Sequence, residues 1–356
     1  MVTKQAQTPD IRGGIAFGSG LAATLLLLAA FQGSVPAMLL AYLSPLPLMI
    51  ATIGFGHMTG LGAVLAAFIT LVALLVAANP QDLNASTFRD AGLDGLVFVV
   101  CEALPSWWLA RIASLSLSAP ILPFLPGSTT DDKESKKDSK EESRLSLVIV
   151  TAAAIAVLIV AGMLAVMQIE GENFPALVDK MAANIKPVMM QQTGVDLLRA
   201  REIDAFAHLL ARSLPAVAAG LVFVAFLVDL WLAGRVVQIS QRLQVPWPNI
   251  AREYRVPRLL APVFFAAVGL IFLGGAIGLV ASLAASVLGV AFALQGLAVI
   301  HVATLGLRFR NNLLFLIYLF VVPLTPWSLA PFTLLGLFEA GFSLRDRKPV
   351  VAISPQ

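Results

Sequence analysis

At 356 residues the chain is long enough for two or three soluble domains, but its composition excludes that reading: it is 58% hydrophobic and only 13% charged, with a mean hydropathy of +0.87. The net charge of +3 is small, and the basic residues stand at the ends of apolar runs, so it reads as membrane orientation and not as nucleic-acid binding. The single cysteine, Cys101, excludes an intrachain disulfide framework and a cysteine metal cluster.

Several apolar runs reach the roughly 18–20 residues that cross a ~30 Å hydrocarbon core. They are continuous in Leu, Ala, Val and Ile and do not alternate in polarity, which argues against a β-barrel. Only helices satisfy their own backbone groups within one segment in lipid. The expected fold is therefore all-α, a polytopic transmembrane helical bundle of about eight to ten segments. They fall near 13–32, 35–55, 58–78, 91–113, 146–168, 206–234, 259–281, 283–306, 312–329 and 331–344.

The first segment follows Lys4 and Arg12 and lacks an A-x-A end, so it reads as an uncleaved span. Within GGIAFGSGLAA, Gly14, Gly18 and Ala22 repeat at four-residue spacing, as do Ala16 and Gly20. Small residues at this spacing let helices approach closely, here another helix of the chain or another membrane subunit. Pro36, Pro45 and Pro47 interrupt the second segment, and each removes a backbone donor, so short helical pieces are expected.

The fourth segment contains VFVVCEALPSWW, with Glu102 the deepest acid and Pro105 within a turn of it. An ionisable side chain inside a span is a functional hypothesis by default. Glu102 reads either as part of a polar, protonatable, substrate-binding site or as a buried acid that fixes helix packing.

After the fourth segment comes PILPFLPG and then STTDDKESKKDSKEESR, Ser128–Arg144, with five Lys/Arg against six Asp/Glu. Such a stretch buries too little apolar surface to order itself. It divides the chain into an N-terminal membrane block, 1–118, a disordered cytoplasmic linker, 119–145, and a C-terminal membrane block, 146–356.

The connection 169–205 carries four basic residues and six acids. Phe174, Leu177, Val178, Met181 and Ile185 recur at helical spacing, which predicts an amphipathic helix on the membrane surface or capping the bundle, ended or kinked by Pro187. In the sixth segment Asp229 stands six residues before Arg235 and is expected to snorkel or pair with an arginine.

The connection 235–258 holds Arg235, Arg242, Arg252, Arg255 and Arg258 against Glu253, with Trp247 and Tyr254. It reads as positive-inside anchoring, or as a docking surface for a partner or anionic lipid. With Arg308, Arg310, Arg345, Arg347 and Lys348 it places every strongly basic loop, and both termini, on the cytoplasmic side.

On the eighth segment Gln295 and His301 are candidate substrate-binding residues beside the plainer reading of interhelical hydrogen bonds. Pro323, Pro326 and Pro331 break the ninth and tenth segments, and Glu339 precedes Arg345 closely enough to pair with it. There is no P-loop, H-E-x-x-H or G-x-S-x-G. An enzyme is not expected, nor a metal or cofactor.

The proline-broken LAYLSPLPLMIATIGFGHMTGLGA, the long middle connection and the closing LGLFEAGFSLRDR, Leu335–Arg347, together resemble the YybS-like family of bacterial multi-pass membrane proteins. That resemblance implies a bacterial inner-membrane protein without a catalytic motif. The N-terminal hydropathy of that family is in turn similar to the substrate-binding subunits of energy-coupling-factor transporters. Those meet their coupling subunit through a small-residue first-segment face, a role the resemblance would give to Gly14, Gly18 and Ala22.

The expected function is accordingly that of an integral inner-membrane protein that binds or helps move a small or amphiphilic solute without its own ATPase. The alternative is a structural or assembly protein that docks partners through 235–258.

Overall fold

A computed structural model describes the backbone of residues 9–78, 80–81, 84–118, 130–169, 173–193, 197–243, 247–321, 323–325 and 327–347. Every regular element among them is helical. In chain order the α-helices are α1 (Pro9–Ala29), α2 (Val35–Ala41), α3 (Pro45–Phe55), α4 (His57–Ala77), α5 (Ala85–Phe98), α6 (Leu104–Ser118), α7 (Thr130–Ile169), α8 (Phe174–Thr193), α9 (Leu197–Ile239), α10 (Ile250–Glu253), α11 (Leu260–Ile271), α12 (Gly275–Ala303), α13 (Arg310–Val321) and α14 (Ala330–Phe342). A five-residue π turn, Val99–Ala103, joins α5 to α6.

Among the described residues seven stretches are long and apolar enough to cross a membrane: Ile11–Gln32, Val35–Phe55, His57–Ala77, Ala85–Leu115, Leu145–Ile169, Arg201–Ile239 and Gly275–Ala303. Leu260–Ile271 and Arg310–Val321 are shorter apolar helices. Large apolar side chains such as Phe17, Leu65, Leu158, Phe265 and Phe315 are exposed. A soluble protein rarely leaves so much contiguous apolar surface bare; a lipid-facing one does. The chain is an all-α polytopic membrane protein.

The chain divides into two compact units, Met1–Ala152 with Val224–Asn249, and Ala153–Phe223 with Ile250–Gln356. This partition differs from the blocks read in the sequence, because α7 and α9 each contribute to both units. Of the expected linker 119–145, residues 119–129 lie outside the described residues, and from Thr130 the backbone is helical and continuous with α7.

In the first unit α1 packs on α4 and α3, and α4 on α3, α5 and α6. Small residues set the closest approach: a Cβ on Gly20 would lie 2.6 Å from the Ala63 carbonyl oxygen and 2.6 Å from the Ala67 nitrogen. Thr24 donates to the Ala67 carbonyl across the same seam and shares a hydrogen bond with Thr70 at 2.9 Å. The packed face is thus the Ala16, Gly20 and Ala23 face. Gly14 and Gly18 are exposed, and a Cβ on either meets nothing within 4 Å. The small-residue pattern expected to pack through Gly14, Gly18 and Ala22 packs within the chain through the neighbouring repeat, which a helix presents on a different face.

The proline break in the second segment is present. Leu43 and Ser44 are bonded in turns at the junction between α2 and α3, and α3 starts at Pro45, whose missing N–H costs nothing at that position.

In the second unit the boundary expected near residue 282 lies earlier. Gly274 and Gly275 both take positive φ, +68° and +57°, a conformation open to glycine without steric cost. The chain therefore turns between α11 and α12, leaving α11 at 12 residues and α12 at 29.

The amphipathic helix of the 169–205 connection is α8. Its apolar face does not end at Pro187: α8 continues to Thr193 with the proline inside. Val178 and Ala182 pack on Ala207 and Ala211 of α9, flanked by Phe174, Met181 and Ile185. That docking compensates the backbone hydrogen bond that Pro187 removes. Lys186 bonds Asp204 at 2.6 Å, and His208 lies 3.4 Å from Asp179. At 43 residues, α9 is about 65 Å long, roughly twice the hydrocarbon thickness.

Candidate functional site

Glu102 sits within the π turn, where the Leu104 N–H bonds the Val99 carbonyl. The local sequence explains the irregularity. Pro105 has no N–H to give to the preceding turn, and the Ser106 hydroxyl donates to the Glu102 carbonyl at 2.5 Å. π turns of this kind widen a helix by one residue and reposition a side chain. The turn contacts α3, α4, α5 and α6. Below it, the indole N–H of Trp107 donates to the His57 carbonyl at 2.9 Å, and Arg111 stacks over the Trp107 ring at 5.5 Å.

The sequence reading did not place a second acid in the unit of Glu102. Asp229 of α9 belongs to the same unit and is 1% exposed. Its Oδ2 has no hydrogen-bond partner. Asp229, expected to snorkel or pair with an arginine, forms no ion pair among the described residues; the nearby Arg235 guanidinium bonds Gln238, at 3.0 Å. Six residues of helix turn through about 600°, which puts Arg235 on a different face from Asp229. That arithmetic was the available signal. Ser44, at the start of α3, is fully buried and its hydroxyl is likewise without a partner.

The second unit carries a different polar centre. Arg345 and Glu339 form a buried ion pair at 2.7 Å, their side chains 3% and 2% exposed. The same guanidinium donates to the carbonyls of Ala251, at 3.0 Å, and Tyr254, at 2.9 Å. Gln295 accepts from the Val256 N–H at 2.6 Å and donates to the Gly336 carbonyl at 3.2 Å. The Tyr254 hydroxyl donates to the Ala291 carbonyl at 3.2 Å. The contacts of Ala251, Tyr254 and Val256 tie the 250–258 segment to α12 and to Arg345 beyond α14, and the Gln295–Gly336 bond ties α12 to α14. Gly296 and Gly336 let α12 and α14 touch backbone to backbone: a Cβ on Gly336 would fall on the Phe292 carbonyl, and one on Gly296 on the Phe332 carbonyl.

The residues expected to bind a substrate thus fall in different units, Glu102 in the first, Gln295 and His301 in the second. Both ends of the Gln295 amide are engaged. His301 Nε2 shares a hydrogen bond of 2.8 Å with the Tyr318 hydroxyl. Of the four docking arginines, Arg235 and Arg242 belong to the first unit and Arg252 and Arg255 to the second. Arg242 lies 4.3 Å over the Phe55 ring, and Arg235, Arg242 and Arg252 are exposed. Among the described residues no group of three His, Cys, Asp or Glu is placed to hold a metal ion.

A family model described as "Predicted membrane protein (DUF2232)" matches residues 135–339, more than half the chain. The chain belongs to the DUF2232 family. In this DUF2232 protein the match runs from the charged part of α7 through Glu339, so it takes in Asp229 and Gln295 and leaves Glu102 and Arg345 outside. No curated protein and no solved structure matches the chain.

Proposed function

We propose that this DUF2232 protein is a solute-binding, transport-related subunit of a bacterial inner membrane, working without its own ATPase or catalytic chemistry. The observation that carries the reading is that one unit holds two acids in its apolar helices, Glu102 in the π turn and Asp229 on α9, buried with its Oδ2 unpartnered. Placing two acids in an apolar interior is expensive, and such residues mark substrate and ion pathways. The partly exposed Glu102 side chain gives a ligand access, while the buried Asp229 supplies a fixed acceptor. The basic residues of 235–258, 307–311 and 345–348 support an orientation with both termini in the cytoplasm.

The test is uptake into proteoliposomes from a defined mixture of amino acids, nucleosides, vitamins and carboxylates. A component enriched by the wild-type chain and lost with Glu102→Ala supports the reading. Equal profiles for both would remove Glu102 from any transport role.

A second reading has its own observation. The 250–258 segment is pinned by Arg345, Gln295 and Tyr254, which gives a rigid surface with Arg252 exposed, as a docking face for a cytoplasmic or membrane partner requires. Crosslinking in native membranes discriminates: a partner lost on replacing Arg235, Arg242, Arg252 and Arg255 by Gln favours docking.

A further inference from the structure

We propose that the second unit binds one anionic phospholipid, its phosphate held by Arg308 and Arg310 at the N-terminal end of α13 and an acyl chain seated in the groove between α13 and α14. The proposal goes beyond the solute-binding reading and does not depend on it.

The groove is a cavity of about 310 Å³ lined by Leu316, Ile317, Phe320 and Val321 of α13 and by Pro331 and Phe332 of α14. Leu316 and Phe320 are exposed, so it opens outward, on apolar surface of the kind that faces lipid. Ser328 also borders it, but its hydroxyl donates to the Val321 carbonyl at 2.7 Å. The walls therefore present hydrocarbon alone. A polar solute would lose its water there and gain no hydrogen bond in exchange, whereas an acyl chain loses nothing.

Helical periodicity joins this groove to a cationic end. Ile317 and Val321 follow Arg310 by seven and eleven residues, which brings them within about 20° of its direction around the helix and about 10 and 17 Å along it. The acyl chains of one leaflet occupy about 15 Å, half the hydrocarbon core. A phosphate at Arg310 thus lays its chain along the groove.

Charge selects the headgroup. Arg310 is partly buried, and its Nε is buried without a hydrogen-bond partner; a charged donor left so is costly. Arg308 is exposed two residues earlier. The chain has no Asp or Glu anywhere in 254–338, and Glu339, which ends that stretch, is already held by Arg345 at 2.7 Å. The two cations are thus left to an outside anion. A guanidinium fork matches the oxygens of a phosphate, and basic pockets between membrane helices take anionic headgroups. A zwitterionic headgroup would bring its own ammonium against Arg308 and Arg310, so the site favours a lipid of net negative charge.

The experiment is native mass spectrometry of the full-length chain released from detergent micelles, titrated with phosphatidylglycerol and with phosphatidylcholine of the same acyl chains. The wild-type chain is expected to retain one phosphatidylglycerol with a preference of about tenfold or more, the scale that two arginines near a headgroup set. Equal retention of the two lipids overturns the proposal, and that comparison needs no variant to fold. Displacement of phosphatidylglycerol by an equal concentration of inorganic phosphate also overturns it, leaving a site for a free anion. The double variant Arg308→Gln, Arg310→Gln should lose the preference, and Leu316→Trp, which narrows the groove from an exposed position, should weaken retention. Unfolding midpoints without lipid check that both variants fold. A preference that persists in the folded double variant places the headgroup elsewhere, and retention untouched by Leu316→Trp places the chain elsewhere; either overturns the proposal. Solute uptake can fail while the lipid is retained, so the two readings are separable.

Discussion

At the scale of single residues, Arg345 carries more structural consequence than any other side chain described. It neutralises Glu339 and satisfies carbonyls of the 250–258 segment. Removing one partner of a buried pair leaves the other charge uncompensated, which costs about 3–5 kcal/mol. Arg345→Met should therefore lower the midpoint of thermal unfolding in detergent sharply. The Glu339→Met, Arg345→Met double variant should recover part of that loss, since two apolar side chains no longer bury a lone charge; a double variant worse than the sum of the singles would contradict the pairing. Tyr254 gives a pH test in the same segment. Burial alone pushes its phenol above the ordinary value. A group whose folded pKa is raised contributes stability that is complete below its unfolded pKa and is lost as pH rises past it. Stability of the wild-type protein should thus decline above about pH 10, where an unfolded tyrosine ionises. Tyr254→Phe should flatten that decline in a pH series of unfolding midpoints.

At the scale of elements, the seam between α1 and α4 turns on one glycine. Gly20→Leu drives a side chain into the Ala63 and Ala67 backbone and should destabilise by about 1–3 kcal/mol, the usual cost of overpacking. Gly18→Leu, facing open space, should leave the unfolding midpoint nearly unchanged. The sequence held both repeats, Gly14–Gly18–Ala22 and Ala16–Gly20, but nothing in the spacing says which one meets α4. Only the partner helix decides that. Helix identity and the proline breaks at Pro45 and around Pro323–Pro331 were legible, because hydropathy and the missing N–H act locally. The Gly274–Gly275 turn was present as a doubled glycine and was passed over, since the flanking run is apolar throughout. Of the two readings of Pro187, an end or a kink, the end is not what the helix does: α8 runs on to Thr193, its apolar face docked on α9. Glu102 and Asp229 were each legible as isolated acids, but they stand 127 positions apart, so their place in one unit lay beyond the reach of periodicity.

At the scale of the whole molecule, orientation follows from where the arginines lie. In a Cys101→Ser background, cysteines placed at Ala176 on α8 and at Ser240 after α9, both exposed, should react with an impermeant maleimide from opposite sides of sealed vesicles. Labelling from one side would overturn the assigned topology.

The Arg345 contacts also set an order of events during synthesis. The carbonyls that Arg345 holds lie 91 and 94 residues earlier in the chain. At about 5–20 residues per second, the ribosome takes some 5–20 seconds to deliver the guanidinium after those carbonyls have emerged. Throughout that interval Glu253 and its neighbours lack this clamp, and α14 arrives before the residue that locks it. A nascent chain halted before residue 345 should therefore expose the 250–258 segment to protease, and the released 356-residue chain should protect the same bonds.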